Sequence, residues 1–175
     1  MVAQAKKKAR GMGLDVEYRA ADVTKLRLNR TFGAAYSFFD SLNYITDPDD
    51  LAKAFKRISA HLERGASFIF DINTAYAFEA KMFDQQDLRK KTRLKYRWKG
   101  KYDRETRLIR VDMRFWLDGK EFTEEHIERA HAPEEIEEYL HGAGFAIAHV
   151  FESYTLDRPK KTSDRLHYVA IKGSG

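Results

Sequence analysis

Two stretches place carboxylate, amide and hydroxyl groups where an apolar run gives out. They are Phe38-Phe39-Asp40-Ser41-Leu42-Asn43-Tyr44 and Phe70-Asp71-Ile72-Asn73. If the apolar runs are parallel strands, these groups sit at the carboxyl edge, where α/β sheets bind ligands. Asp71 there can orient an amine or a hydroxyl, or it can cap the segment that follows, a common use of Asp and Asn. Further along, Glu125-His126-Ile127-Glu128-Arg129 offers His126 as a base that titrates near neutrality and Arg129 as an anion clamp. The same run also reads as a solvated strand face among glutamates. Tyr96, Trp98 and Tyr102 interleave with Lys95, Arg97, Lys99 and Lys101. Rings among cations can stack bases and hold phosphates. Simple alternation, one packed face and one charged face, gives the same pattern and is preferred.

Other chemistries are disfavoured. The chain has no Cys, which excludes a disulfide scaffold, a thiolate zinc site and a cysteine nucleophile. His126 and His131 fall on opposite faces of a strand, and His61, His141, His149 and His167 show no ligand spacing, so no metal is expected. No Ser-His-Asp order, phosphate-binding loop or paired catalytic carboxylates stand out.

These residues need elements to hold them. The 175 residues are 43% hydrophobic and 34% charged, the composition of one globular unit. No run reaches the ~20 apolar residues of a membrane helix, and the Lys-rich N-terminus lacks the apolar core of a secretory signal. A cytoplasmic protein is the expectation. Residues 2–10 read as a helix stopped by Gly11 and Gly13, and 16–22 as a short strand ending in Asp22. The stretch 33–45 opens as a buried strand and becomes a polar loop. Asp47 and Pro48 then start a helix whose Leu51, Phe55, Ile58 and Leu62 recur at helical spacing, with Gly65 as its stop. The strand 67–73 follows, completing a strand–helix–strand crossover. Three antiparallel strands are expected at 93–102, 106–117 and 120–131, with Asp118-Gly119 as the hairpin turn between the last two. Pro133 opens a second amphipathic helix, and strands at 145–154 and 165–172 end the chain.

Charge is unevenly spread along this order. Residues 81–110 hold twelve Lys/Arg and four Asp/Glu, whereas 121–139 hold eight Glu and one Arg. Either the two segments are solvated or mutually neutralising faces, the preferred reading, or the first meets an anionic partner.

The ordered set resembles the class I S-adenosylmethionine-dependent methyltransferases, small-molecule type. The residues that carry it are Ala20-Ala21-Asp22-Val23, the run from Tyr36 to Ile45, and His61-Leu62-Glu63-Arg64-Gly65 before Phe70-Asp71-Ile72-Asn73. Glu125–Arg129, Pro133–Ile136, Gly142-Ala143-Gly144-Phe145 and Ser163-Asp164-Arg165 complete it. The resemblance implies an α/β, Rossmann-like fold with a mixed sheet, a C-terminal β-hairpin and an antiparallel β insert. It divides the chain into a partial core at 1–80, an insert roofing the acceptor pocket at 81–131, and completing elements at 132–175. The family's G-x-G-x-G loop does not occur here, and Gly11-Met12-Gly13 follows a helix rather than a strand. The expected fold is therefore truncated, lacking its first βαβ unit.

By this resemblance the cofactor is S-adenosylmethionine. Asp22 would accept from the adenine amine, Val23 would give a backbone contact, and Phe39, Asp40 and Ser41 would line the cofactor. Tyr44 would border the methyl path, Asp71 would orient the acceptor, and His126 would act as base. The acceptor is expected to be a small molecule. Without two intervening strands, 16–22 either pairs directly with the 33–39 strand or leaves an open edge, through which a homodimer is expected. Two other readings stay open: a non-catalytic dimerisation or binding module, and an RNA-associated protein using residues 81–110.

Overall fold

The computed structural model describes residues 1–173. Helix α1 (Val2–Gly11) ends as its sequence directs. Gly13 takes φ +68°, and the N–H groups of Gly13 and Leu14 donate to the Arg10 and Ala9 carbonyls at 3.1 and 3.0 Å. That pattern satisfies carbonyls the helix end would leave bare. Residues 16–22, expected as a strand, are not one. A strand requires a neighbour to share its ladder, and among the described residues none lies alongside. Asp22 instead caps a single 3₁₀ turn at Val23–Lys25.

Strand β1 (Phe32–Ser37) runs parallel to β2 (Leu62–Asn73), with helix α2 (Pro48–Ala60) between them. Asp47 caps α2 by accepting the Asp49 and Asp50 N–H groups at 2.8 and 3.2 Å. The expected helix stop at Gly65 is wrong. The helix ends at Ala60, and Gly65 lies inside β2 at φ +76°. There the register jumps from Phe32 opposite Leu62 to Ala34 opposite Ser67, so the left-handed glycine makes a bulge in the strand. His61, just past α2, ties the 26–30 segment down. Its Nε2 accepts the Leu28 N–H at 2.7 Å, and its Nδ1–H donates to the Arg57 carbonyl at 2.7 Å.

Helix α3 (Ala75–Glu79) and strand β3 (Gln85–Asp87) are too short to leave a periodic signal in the sequence and were not anticipated. Strands β4 (Leu94–Asp103), β5 (Leu108–Leu117) and β6 (Lys120–Arg129) follow, then α4 (Pro133–Gly142), β7 (Phe145–Glu152) and β8 (Arg165–Lys172). The strands form two sheets, β1-β2-β8-β7 and β3-β4-β5-β6. In the first, β1 and β2 are parallel and the other pairings antiparallel. The outer edge of β1 carries no strand among the described residues, so the open-edge alternative is the one realised.

Helices α2 and α4 pack on each other and bury Phe55, Ile136 and Leu140 against Phe68, Phe70, Phe145 and Tyr168 of the mixed sheet. Each such side chain contributes about 1.5–3 kcal/mol through removal from water. A second cluster joins Phe78 of α3 to Ile109, Val111 and Met113 of β5. Tyr96, Trp98 and Tyr102 lie on this packed side, with Trp98 against Phe115 and Tyr102 against Phe78. The cations Arg97, Lys99, Lys101, Arg110 and Arg114 are exposed. Alternation along a half-buried sheet thus accounts for the aromatic–basic interleaving. Three of these cations pair with acids nearby: Lys99 with Asp84 at 2.6 Å, Arg110 with Glu125 at 2.6 Å and Arg114 with Glu121 at 3.8 Å. No helix among the described residues is long and apolar enough to cross a membrane.

Candidate functional site

The loop after β1 turns on two residues in the left-handed region, Phe39 at φ +60° and Asp40 at φ +53°. Neither is glycine, and each such residue costs roughly 1–2 kcal/mol. A neighbouring strand supplies the compensation. Asp71 of β2, fully buried, accepts the Phe39 N–H at 3.1 Å and the Asp40 N–H at 2.9 Å. Its second partner is Arg165 of β8, whose Nη1 donates to it at 2.7 Å. The same guanidinium lies 3.4 Å from the Asp40 carboxylate, which also accepts from Asn73 Nδ2 at 3.1 Å. The loop is therefore clamped from below by two adjacent strands.

Asn43 continues the clamp toward the second sheet. Fully buried, it donates to the Asn73 carbonyl at 3.0 Å and the Arg129 carbonyl at 2.9 Å, and accepts the Asn73 N–H at 2.9 Å. The Arg129 N–H donates to the Asn43 carbonyl at 2.8 Å. The C-terminal end of β6 is so stitched to the end of β2.

Between the sheets lies a cavity of about 540 Å³, within the range of small-molecule sites. Asp40, Tyr44, Asn73 and Arg165 line its mixed-sheet side. The other side is Trp98, Met113, Phe115, His126 and Glu128. The Tyr44 hydroxyl lies 2.6 Å from His126 Nδ1, and His126 Nε2 lies 3.2 Å from Glu124. Burial, then the Glu128 and Asp40 carboxylates, push the Tyr44 phenol well above its ordinary value. Tyr44 therefore stays protonated, with His126 Nδ1 and the Glu128 carboxylate both beside its hydroxyl.

Glu128 is 1% exposed and accepts from Asn73 Nδ2 at 3.3 Å. Burial first, and then the nearby Asp40 charge, push its carboxyl up to about 7. A carboxyl with that value shares its proton with water at neutral pH, the condition of an effective general base.

The structure thus brings Tyr44 and His126 together across 82 residues and sets Asp40 at the same cavity. Asp71 is not among the residues that line it: both its oxygens are used in the clamp, where they hold the loop. Ser41 turns back to donate to the Phe38 carbonyl at 2.8 Å. Arg129 donates to the Thr106 carbonyl at 3.1 Å and pairs with the Glu135 carboxylate at 3.3 Å, away from the residues that line the cavity. Phe39 and Asp22 are exposed and Val23 is half-buried. Asp22 accepts from the Thr24 N–H and hydroxyl at 2.9 and 2.7 Å. The residue that sequence reasoning missed is Glu128. Its signal was alternation, which sets 124, 126 and 128 on one face, but nothing local distinguished the enclosed glutamate from its exposed neighbours. Among the described residues no three His, Asp or Glu side chains converge as a metal-binding group.

Comparison with known proteins fits this geometry. Residues 1–65 match the family model described as a methyltransferase domain. The chain is 33% identical to an S-adenosylmethionine-dependent methyltransferase of known structure from Clostridium acetobutylicum, with a TM-score of 0.89, covering 98% of this chain and 71% of that one. It is 25% identical to the putative methyltransferase GWCH70_2453 of Geobacillus sp. (strain WCH70), covering 98% of this chain and 72% of the relative. The CcbJ methyltransferase from Streptomyces caelestis, 14% identical with a TM-score of 0.83, shares the fold over 99% of this chain and 75% of its own.

Proposed function

Since the chain belongs to the class I S-adenosylmethionine-dependent methyltransferases, we propose that it methylates a small-molecule acceptor held in the cavity between its two sheets. The observation that carries this reading is the cavity: it opens at the carboxyl ends of β1 and β2 and is roofed by the second sheet.

The donor set supports a fit to S-adenosylmethionine. Asp22 is exposed, and hydrogen bonds from the Thr24 side chain and then the Thr24 backbone lower its pKa, so it is an ionised acceptor suited to the adenine amine. Val23 follows it in the 3₁₀ turn with a backbone available for the ring edge. Phe39, 74% exposed, offers an apolar ring face beside Asp40 and Ser41. Asp22 and Val23 would hold the adenine, and Phe39, Asp40 and Ser41 would line the remainder. When bound, the cofactor supplies a methyl group activated by its positive sulfur.

The chain's own residues do the rest. Trp98, Met113 and Phe115 exclude water from one side of the acceptor. Tyr44 borders the path from the cofactor side, its hydroxyl fixed by His126. The Asp71–Arg165 clamp holds the loop that carries Asp40, so donor and acceptor meet at a set distance.

The test is a calorimetric titration of the folded 175-residue chain with S-adenosylhomocysteine, beside Asp22→Ala. Saturable binding is expected, weakened about tenfold in the variant, the size of one charge-assisted hydrogen bond. A folded chain that takes up no heat-detectable ligand overturns the reading.

A further inference from the structure

We propose that the cavity selects a protonated amine as the methyl acceptor and that Glu128 is the base that takes its proton. This rests on the cavity being the acceptor site.

The charge of the cavity carries the inference. Its lining holds four carboxylates, Asp40, Glu124, Glu128 and Asp164, against one guanidinium, Arg165. Arg165 is already committed to Asp71 and Asp40. The groups facing Glu128 are Asp40 and Tyr44 from the loop after β1, Asn73 from the end of β2, and His126 from its own strand. Of these only His126 can carry a positive charge, and only when it is protonated. An ionised Glu128 at 1% exposure is thus a buried anion whose hydrogen bonds come from neutral groups, the Asn73 amide and the Tyr44 hydroxyl, an arrangement costly until a cation arrives. A neutral hydroxyl or thiol acceptor leaves that charge uncompensated, whereas an ammonium group completes it.

The other side of the cavity suits the same ligand. Trp98 and Phe115 line it with ring centroids 6.4 Å apart at 68°, and aromatic faces attract alkylammonium ions. The Trp98 indole N–H is buried with no partner, a donor open to an oxygen elsewhere on the acceptor.

The proton transfer balances without a further reactant. One N–H bond of the ammonium breaks, its electron pair stays on nitrogen, and an O–H bond forms on Glu128. Nitrogen is left with the free lone pair that methylation requires. Burial and Asp40 poise Glu128 for this step, since they lift it to about 7. The lone pair is released only inside the cavity, beside the loop that lines the expected cofactor path.

The experiment compares benzylamine with benzyl alcohol as isosteric probes of the cofactor-free protein, using saturation-transfer NMR and calorimetry. The wild type is expected to bind the amine about tenfold more tightly, the scale of a hydrogen bond to a charged group. Binding should strengthen from about pH 6 to about pH 8 as Glu128 loses its proton while the amine keeps its own. In Glu128→Gln both the preference and the Glu128 pH response should disappear. Equal binding of the two probes, no amine binding by the folded wild type, a flat pH profile, or a preference that survives in Glu128→Gln each overturns the proposal. His126→Gln, which removes the other group of the cavity that titrates near neutrality, should keep this pH response, so the profile of that variant decides the matter even if Glu128→Gln folds poorly. S-adenosylhomocysteine is absent throughout. Failure of cofactor binding with amine selection intact therefore removes the methyltransferase reading and leaves the cation site, and the reverse result removes only the amine.

Discussion

Oδ1 of Asp71 accepts the backbone N–H of Asp40 at 2.9 Å. A fully buried carboxylate in the second strand thereby sets the backbone of a left-handed residue at the end of the first. Asp40 in turn lines the cavity and faces Glu128, so the loop's conformation and the electrostatics of the cavity are one arrangement. Arg165 keeps the two aspartates from repelling each other by lying against both.

Replacing Asp71 tests that clamp. Asp71→Ala removes the acceptor of two N–H groups and strips Arg165 of its shortest ion pair. A loss of about 3–5 kcal/mol is expected, as when one partner of a buried pair is deleted. Asp71→Asn keeps an acceptor oxygen and should lose less, about 1–3 kcal/mol. Urea unfolding of the three proteins checks this; superimposable curves would mean that the loop holds itself.

Glu128 should make the fold less stable as pH rises. Its carboxyl goes from the ordinary 4.5 to about 7 in the folded protein. Below about 4.5 both states hold the proton and burial carries no charge penalty. Between the two values the unfolded chain gives it up first, and the penalty reaches its full size above 7. Glu128→Gln should therefore match wild type near pH 4 and exceed it by about 3 kcal/mol above pH 7, at ~1.4 kcal/mol per unit. Thermal melts across this range would read the divergence.

His131 acts with the opposite sign. It is 2% exposed, and its Nε2–H donates to the Ile45 carbonyl at 3.0 Å. Burial, and then the charge of Arg129, lower it from 6.5 to about 4. Above 6.5 neither state is protonated and the histidine costs nothing. As pH falls toward 4 the unfolded chain gains the proton alone, and up to about 3 kcal/mol of stability is lost. In His131→Gln, whose amide can still donate to Ile45, the acid limb of the stability–pH curve should flatten. An unchanged limb would assign the acid loss to other groups.

Asn43 should matter more to stability than its size suggests. Its amide makes three hydrogen bonds that join the loop after β1, the end of β2 and the end of β6. Asn43→Ala leaves two carbonyls and one N–H without their partner in a buried position, for a loss of about 2–4 kcal/mol. Hydrogen exchange should show added opening at Asn73 and Arg129, whereas α1 should exchange as before.

The sequence by itself determined the elements whose signals are local. Capping chemistry at Asp47-Pro48, the left-handed turn at Asp118-Gly119, and the spacing of Leu51 and Phe55 act within a few residues, and the structure forms a helix or hairpin at each. Alternation likewise set the aromatic and cationic faces of β4. Signals that need a partner were not legible. Residues 16–22 have strand composition and no neighbour to pair with, while Gly65 reads as a helix stop and forms a strand bulge because β1 lies beside it. At the site, Tyr44 and His126 were visible as residue types, but their 2.6 Å contact was decided by the Asn43 stitch between sheets. The same holds for the two acids that exchanged weight. Asp71 became a clamp because Arg165, 94 residues away, met it in the next strand. Glu128 became the poised group because the mixed sheet closed over it. A carboxylate's protonation depends on desolvation and on charges brought near in space, and sequence order fixes neither.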